Sequence, residues 1–283
     1  MSELFSSLIE RRNPRGIDDY DRALREIIQE FMLVGLWRGK FFEHAALYGG
    51  TALRLLHGLD RFSEDLDFSL LEPSEHFSFE KYFRFLDAEL SALGLEATFE
   101  EKSGDSAIES AFMKMNTKKT LISIGLSPRI TAVVPGNRLI KVKFEADTRP
   151  SLEFSTEVRI LLEPLPIGIR TYTPSCMFAS KCHALLMRSW GTRVKGRDWY
   201  DLVFFVGRGI ALDVPHLRAK LVASGMAGSK ITDVGDAIGL LHERIESLDI
   251  EAARRDVLPF VADRASLELW SREFFHGVAD KIQ

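Results

Sequence analysis

The chain has 283 residues, 46% hydrophobic and 28% charged, with 37 basic against 41 acidic side chains and a net charge of −4. That length allows one large domain or two smaller ones with a substantial core, and the near-neutral balance does not announce a nucleic-acid binder, although a local basic surface is enough to hold phosphates. Two cysteines (Cys176 and Cys182) six positions apart in a predicted helix exclude a disulfide framework, the start MSELFSSLIERR has no signal-peptide pattern, and no apolar run approaches the roughly 20 residues of a membrane helix, so a cytoplasmic protein without a membrane partner is expected.

In chain order, Asp18 and Asp19 are placed to cap a helix running to about Trp37, with Leu24, Ile27, Phe31 and Val34 as its core-facing stripe. Ala45–Tyr48 reads as a buried strand ending at Gly49-Gly50, Thr51–His57 as a short helix and Leu66–Leu71 as a strand. Ser78–Leu93 is a predicted helix closed by Gly94. Strands follow at Phe112–Thr117, Leu121–Ser127, Arg138–Glu145 and Ile167–Tyr172, with a turn at Pro135-Gly136-Asn137. Pro164, Pro166 and Pro174 punctuate a hinge. Beyond it the chain reads as helical, ending on Leu267, Trp270, Phe274, Val278 and Ile282 at helical spacing. The expected architecture is an α/β domain over 1–173 around a mixed sheet, then a helical domain over 174–283.

The chemistry concentrates at Asp65 and Asp67. Residues i and i+2 of a strand project from one face, so two carboxylates would converge with Leu66 and Phe68 buried behind them. Hard divalent ions want such oxygen ligands and leave positions for substrate phosphates. A lone Asp-x-Asp is more often an acidic strand entry, and glycosyltransferases use the pair too. The preceding Gly49-Gly50-Thr51 adds a backbone that a phosphate can approach and a hydroxyl at a helix N-terminus.

The ordered series Gly49-Gly50-Thr51-Ala52-Leu53-Arg54, then Arg61-Phe62-Ser63-Glu64-Asp65-Leu66-Asp67-Phe68, resembles the signature of DNA polymerase β-like nucleotidyltransferases. In detail it is similar to the AbiEii-type toxin nucleotidyltransferases, the toxin halves of phage-defence and toxin–antitoxin pairs. The strand Lys141-Val142-Lys143-Phe144-Glu145-Ala146-Asp147 alternates charge with apolar residues, which by itself reads as an amphipathic strand with solvated charges. The family's Lys-x-Glu falls on Lys143 and Glu145, which makes Glu145 the third acid; Asp147 shares its parity and remains a rival.

A second block joins Lys181, with Arg188 two turns along the same face, to Lys195-Gly196-Arg197-Asp198-Trp199-Tyr200-Asp201-Leu202 on the next helix. Trp199, Leu202, Val203 and Val206 are that helix's predicted buried stripe. Spacing alone suggests two helices joined by ion pairs. The resemblance implies that Lys181 and Asp198 are essential, with Arg197 and Asp201 in support. It implies a Mg²⁺ or Mn²⁺ site at Asp65, Asp67 and Glu145. It also implies nucleotide contacts from Gly49, Gly50, Thr51, Arg54, Ser63, Lys181, Arg197 and Asp201.

The implied reaction moves a nucleoside monophosphate from a nucleoside triphosphate to an acceptor hydroxyl, with RNA, at the 3′ end of tRNA, as acceptor and an antitoxin as partner. The helical domain would complete the cleft. Lys114, Lys118, Lys119, Arg129, Arg138 and Arg149, with Arg188, Arg193, Lys195 and Arg197, could grip an RNA backbone. The alternatives are an antibiotic-type small-molecule nucleotidyltransferase and a catalytically silent nucleotide-binding module. Gly35–Lys40 is one residue short of a P-loop, and His44, His57 and His183 lack metal-ligand spacing.

Overall fold

The computed structural model describes residues 2–102, 107–123, 128–132, 134–188, 194–226 and 231–283. The chain forms two compact units, one of Met1–Leu56, Ser63–Pro150 and Val158–Thr171, the other of His57–Phe62, Ser151–Glu157 and Tyr172–Gln283. Two short segments from within residues 1–173 therefore join the helical unit. None of the described helices is long and apolar enough to cross a membrane.

A seven-stranded sheet runs β3 (Thr98–Lys102), β4 (Ile108–Asn116), β5 (Leu139–Asp147), β2 (Leu66–Leu70), β1 (Ala45–Tyr48), β7 (Ile167–Tyr172) and β6 (Thr156–Leu161) in that spatial order. It is mixed: β2 pairs with β5 and β1 with β7 in parallel, whereas β1–β2, β3–β4 and β4–β5 are antiparallel. Helices α1 (Ser2–Arg11), α2 (Ile17–Arg38), α3 (Gly49–His57) and α4 (Glu80–Ala92) accompany the sheet. Leu24, Ile27 and Val34 of α2 are fully buried, as their spacing predicts, and Phe31 nearly so. Phe41 meets Phe68, Phe79 and Tyr82 edge-on or stacked, and each such burial contributes about 1.5–3 kcal/mol.

Several local expectations are corrected. Asp18 and Asp19 lie in the first turn of α2, and Gly16 is the capping position, with no side-chain cap. The predicted strand Leu121–Ser127 is in fact α5 (Thr117–Ser123), its remainder lying outside the described residues. The Asn116 side chain accepts from the Lys119 amide at 2.9 Å, which starts a helix where the apolar pattern suggested a strand. Strands β3 and β6 were not expected: TFEEK is charged, and β6 alternates Val158 and Ile160 with Glu157 and Arg159 but leaves both apolar residues exposed. A further short helix, α6, spans Pro128–Ala132. Pro164 and Pro166 fall between β6 and β7, and Pro174 opens α7.

The helical unit contains α7 (Pro174–Met187), α8 (Gly196–Gly207), α9 (Val214–Ala223), α10 (Val234–Glu246), α11 (Ile250–Val257) and α12 (Arg272–Ala279). Asp213, Asp233, Asp249 and Ser271 each accept from a first-turn amide, contributions of about 1 kcal/mol apiece. The Ser271 cap restarts the C-terminal segment, so Phe275 and Ala279 enter the core instead of a continuous stripe through Phe274 and Val278. On α8 the buried stripe is Trp199, Leu202 and Phe205, with Val203 and Val206 only half-buried.

Candidate active site

Strands β1, β2 and β5 bring the acidic residues of the first unit together. Asp67 lies in register between Tyr48 of β1 and Glu145 of β5. The carboxylates of Asp67 and Glu145 thus stem from neighbouring backbone positions of parallel strands. Asp147 is paired with Ser69, two residues further along, and accepts from the Arg149 amide at 3.0 Å. Asp65 precedes β2 rather than lying in it, so strand parity alone does not fix it. Its backbone carbonyl accepts from the Thr51 hydroxyl at 2.5 Å. Thr51 is buried, and its proton is spent on holding the approach to Asp67.

Gly49 makes this arrangement possible. Its φ of +78° is in the left-handed region, and a Cβ there would lie 2.6 Å from Asp67 Oδ2. The backbone conformation and the carboxylate both demand glycine. Gly49 and Gly50 open α3, as the step from strand to helix predicts.

Glu145 accepts from Lys143 at 2.7 Å and from the Ser110 hydroxyl at 2.8 Å. Among the described residues no group of three or more His, Cys, Asp or Glu side chains is arranged to hold a metal ion. The donors are nevertheless hard oxygens, and Mg²⁺ is usually held by one or two carboxylates plus substrate phosphates rather than by a protein cage. Asp67 and its neighbours suit an ion that arrives with a triphosphate. Arg54 is turned to Glu26 of α2, Nε to Oε2 at 2.8 Å, and the Ser63 carbonyl accepts from Gln29 at 3.2 Å.

The helical unit holds the second group. Lys181 Nζ lies 2.8 Å from both Asp198 Oδ1 and Asp201 Oδ2. Arg61 grips Asp201 with two bonds of 2.6 Å, and Arg188 reaches Asp198 Oδ2 at 3.0 Å. Asp201, Asp198 and Arg61 are all buried. Burial alone would raise the Asp198 carboxyl, but Lys181, Lys195 and Arg188 outweigh it and hold it down at about 2. For Lys181 burial disfavours the charge, and Asp198 and Asp201 more than restore it. Lys195, at the N-terminus of α8, is pushed down chiefly by burial and only partly restored by Asp198. Three cations in direct contact with two carboxylates leave the cluster net positive.

Gly196 lets α8 begin here: a Cβ would lie 1.9 Å from the Ala253 carbonyl of α11. Arg197 lies over Phe260, its guanidinium 4.1 Å from the ring centroid. Arg61 is the residue that motif reading passed over, although it stands inside the quoted stretch before Asp65. Its signal was a lone arginine in a loop matched by a buried aspartate 140 positions later.

Several cations expected to grip RNA are already engaged. Lys114 pairs with Glu100, Arg138 approaches Asp21 to 3.6 Å, and Arg188 holds Asp198. Arg149 and Lys119 are exposed. Arg193 lies outside the described residues, and so does the side chain of Arg129.

A family model described as "Nucleotidyl transferase AbiEii toxin, Type IV TA system" matches residues 31–276. Among curated proteins none matches the chain by sequence. Solved structures that share the fold include the following two. MenT4, a nucleotidyltransferase toxin from Mycobacterium tuberculosis, is 18% identical at a TM-score of 0.54, covering 99% of this chain and 90% of that one. JHP933 from Helicobacter pylori is 17% identical at a TM-score of 0.52, covering 92% of this chain and 90% of the other.

Proposed function

The chain belongs to the AbiEii nucleotidyl transferase toxin family of type IV toxin–antitoxin systems, and from this nucleotidyltransferase identity we propose a metal-dependent transfer of a nucleoside monophosphate onto RNA. The acceptor is the hydroxyl at the 3′ end of tRNA, and the product is an RNA that no longer serves translation. The observation that carries the reading is the register of Asp67 with Glu145 beside a glycine turn in the left-handed region.

In this proposal Asp65, Asp67 and Glu145 would hold Mg²⁺ or Mn²⁺. The bound ion supplies charge neutralisation at the α-phosphate and the departing pyrophosphate. Gly49 and Gly50 present backbone at the start of α3 for close phosphate approach. Thr51 fixes the Asp65 backbone, so it orients a ligand rather than contacting phosphate itself. Glu145, relieved of Lys143 by substrate, would accept the proton of the attacking hydroxyl or order the ion.

Lys181 and Lys195 would meet the triphosphate, whose negative charge balances the positive excess of their cluster. Asp198 keeps Lys181 charged and oriented. Arg197 supports nucleotide binding from its perch on Phe260, and Asp201 acts through Lys181. The nucleotidyl transfer itself, rather than mere binding, follows from the family.

The test incubates the protein with each labelled nucleoside triphosphate, Mg²⁺ and total RNA, with Asp65→Ala and Asp67→Ala as controls. Label should enter tRNA-sized RNA and vanish in both variants. Label entering only small molecules would overturn the RNA acceptor, and undiminished transfer by both variants would overturn the metal assignment.

A further inference from the structure

Helices α10 and α12 carry the same short pattern. On α10, His242 is followed one turn later by Glu246; on α12, His276 is followed one turn later by Asp280, the residue at the helix's C-cap. The acids serve each other's helix: His242 Nε2 lies 3.0 Å from Asp280 Oδ1, and His276 Nε2 lies 3.0 Å from Glu246 Oε1. The two Nδ1 atoms face each other at 2.5 Å. The ring centroids are 4.8 Å apart with planes 24° from parallel. That separation exceeds the nitrogen–nitrogen distance by about two ring radii, so the nitrogens lie between the rings and point at one another.

A carboxylate only accepts, so each Nε2 carries the hydrogen. A neutral imidazole then has its lone pair on Nδ1. Two lone pairs aimed at each other repel unless a cation lies between them. Metal-ligating histidines characteristically donate their second ring N–H to a carboxylate, which fixes ring orientation and raises ligand basicity. Both histidines here are set up in that way, from different helices and reciprocally. Two carboxylates also contribute two negative charges, which a divalent ion balances and a single shared proton does not.

We propose that His242 and His276 bind one divalent transition-metal ion, of the Zn²⁺ or Ni²⁺ class, through their Nδ1 atoms, clipping the C-terminal helix α12 to α10. Tetrahedral coordination at about 2.0–2.1 Å per nitrogen separates the two ligands by about 3.3 Å. The rings must part slightly, which they are free to do because the side chains are 32% and 28% exposed. With two protein ligands, water fills the remaining positions. The site is separate in sequence and chemistry from Asp65, Asp67 and Glu145, whose oxygens favour Mg²⁺.

The test titrates the chelator-stripped full chain with ZnCl₂ in excess Mg²⁺, which saturates oxygen-only sites, using calorimetry and thermal melting. One equivalent should bind and raise the melting temperature. His242→Gln and His276→Gln should each remove that equivalent, while circular dichroism reports whether they fold. Asp280→Asn and Glu246→Gln, at exposed carboxylates, should weaken binding about tenfold, and Asp67→Asn should leave it unchanged. Absence of zinc binding in the wild type would overturn the site and leave a shared proton between the rings. Zinc binding that survives both histidine substitutions would overturn it equally.

Discussion

Asp201→Asn separates the structural from the chemical work of the buried cluster. Asp201 is fully buried and neutralises both Arg61, itself buried, and Lys181, whose side chain is 14% exposed. The substitution leaves two charges competing for Asp198 alone. Removing one partner of a buried pair costs about 3–5 kcal/mol, because the remaining charge stays desolvated. Asp198→Asn should cost less. Its carboxyl is lowered from 3.8 to about 2, a difference worth about 2 kcal/mol.

The sign follows from that depression: the Asp198 contribution is complete above about pH 4 and is lost as pH falls toward about 2. Melts followed by circular dichroism at pH 7 should show Asp201→Asn losing about 10 °C or more and Asp198→Asn losing less. Transfer assays below both melting temperatures should rank them in the opposite order, since Asp198 is the partner proposed to orient Lys181. If Asp198→Asn proves the less stable of the two, or if Asp201→Asn melts within about 2 °C of wild type, the reasoning about burial fails.

Gly49→Ala should fold but transfer poorly, because the added methyl displaces Asp67 Oδ2 from 2.6 Å and strains a φ of +78°; transfer at the wild-type rate refutes it. Glu145→Gln should lower kcat far more than it weakens triphosphate binding, whereas Asp147→Asn, which disturbs only a turn contact to Arg149, should do little; the reverse ranking makes Asp147 the third acid. Glu30 is pushed up to about 7, mainly by burial and against the pull of Arg12. Its protonated form is the one the fold accommodates, so the associated stability is full below about pH 4.5 and lost as pH rises through about 7. Glu30→Gln should therefore raise stability at pH 8 by up to about 3 kcal/mol, and an unchanged slope of stability between pH 5 and 8 counts against it.

What the sequence made legible was set by local patterns. The strand Ala45–Tyr48, the glycine step and the alternation from Ile140 to Ala146 depend on neighbours one to four positions apart, and they appear where that periodicity puts them. The strand TFEEK offers no apolar period to read, because one of its faces is exposed and the other only half-buried. Helix α5 arises from Asn116 capping an amide three residues on, a contact that outweighs β propensity over so short a stretch. In each case a polar contact or an exposed edge decided the local structure.

The same distinction governs the site. Motif reading ranks residues by type and spacing, so Thr51, Arg54, Arg197 and Asp201 all look like nucleotide contacts. In the folded chain Thr51 holds the Asp65 carbonyl, Arg54 holds Glu26, Arg197 rests on Phe260, and Asp201 is enclosed by Arg61 and Lys181. Each motif therefore mixes residues proposed to act on substrate with residues that hold neighbours in place, and spacing cannot sort them because both kinds must keep their positions. Burial can. A carboxylate with no exposed surface and three ionic hydrogen bonds has no capacity left for a ligand, whereas a half-buried Asp67 beside a glycine turn keeps a face toward solvent. On that criterion the acids to test first for chemistry are Asp67, Asp65 and Glu145. Asp201 instead belongs to the scaffold that keeps Lys181 charged, and Arg61 anchors Asp201.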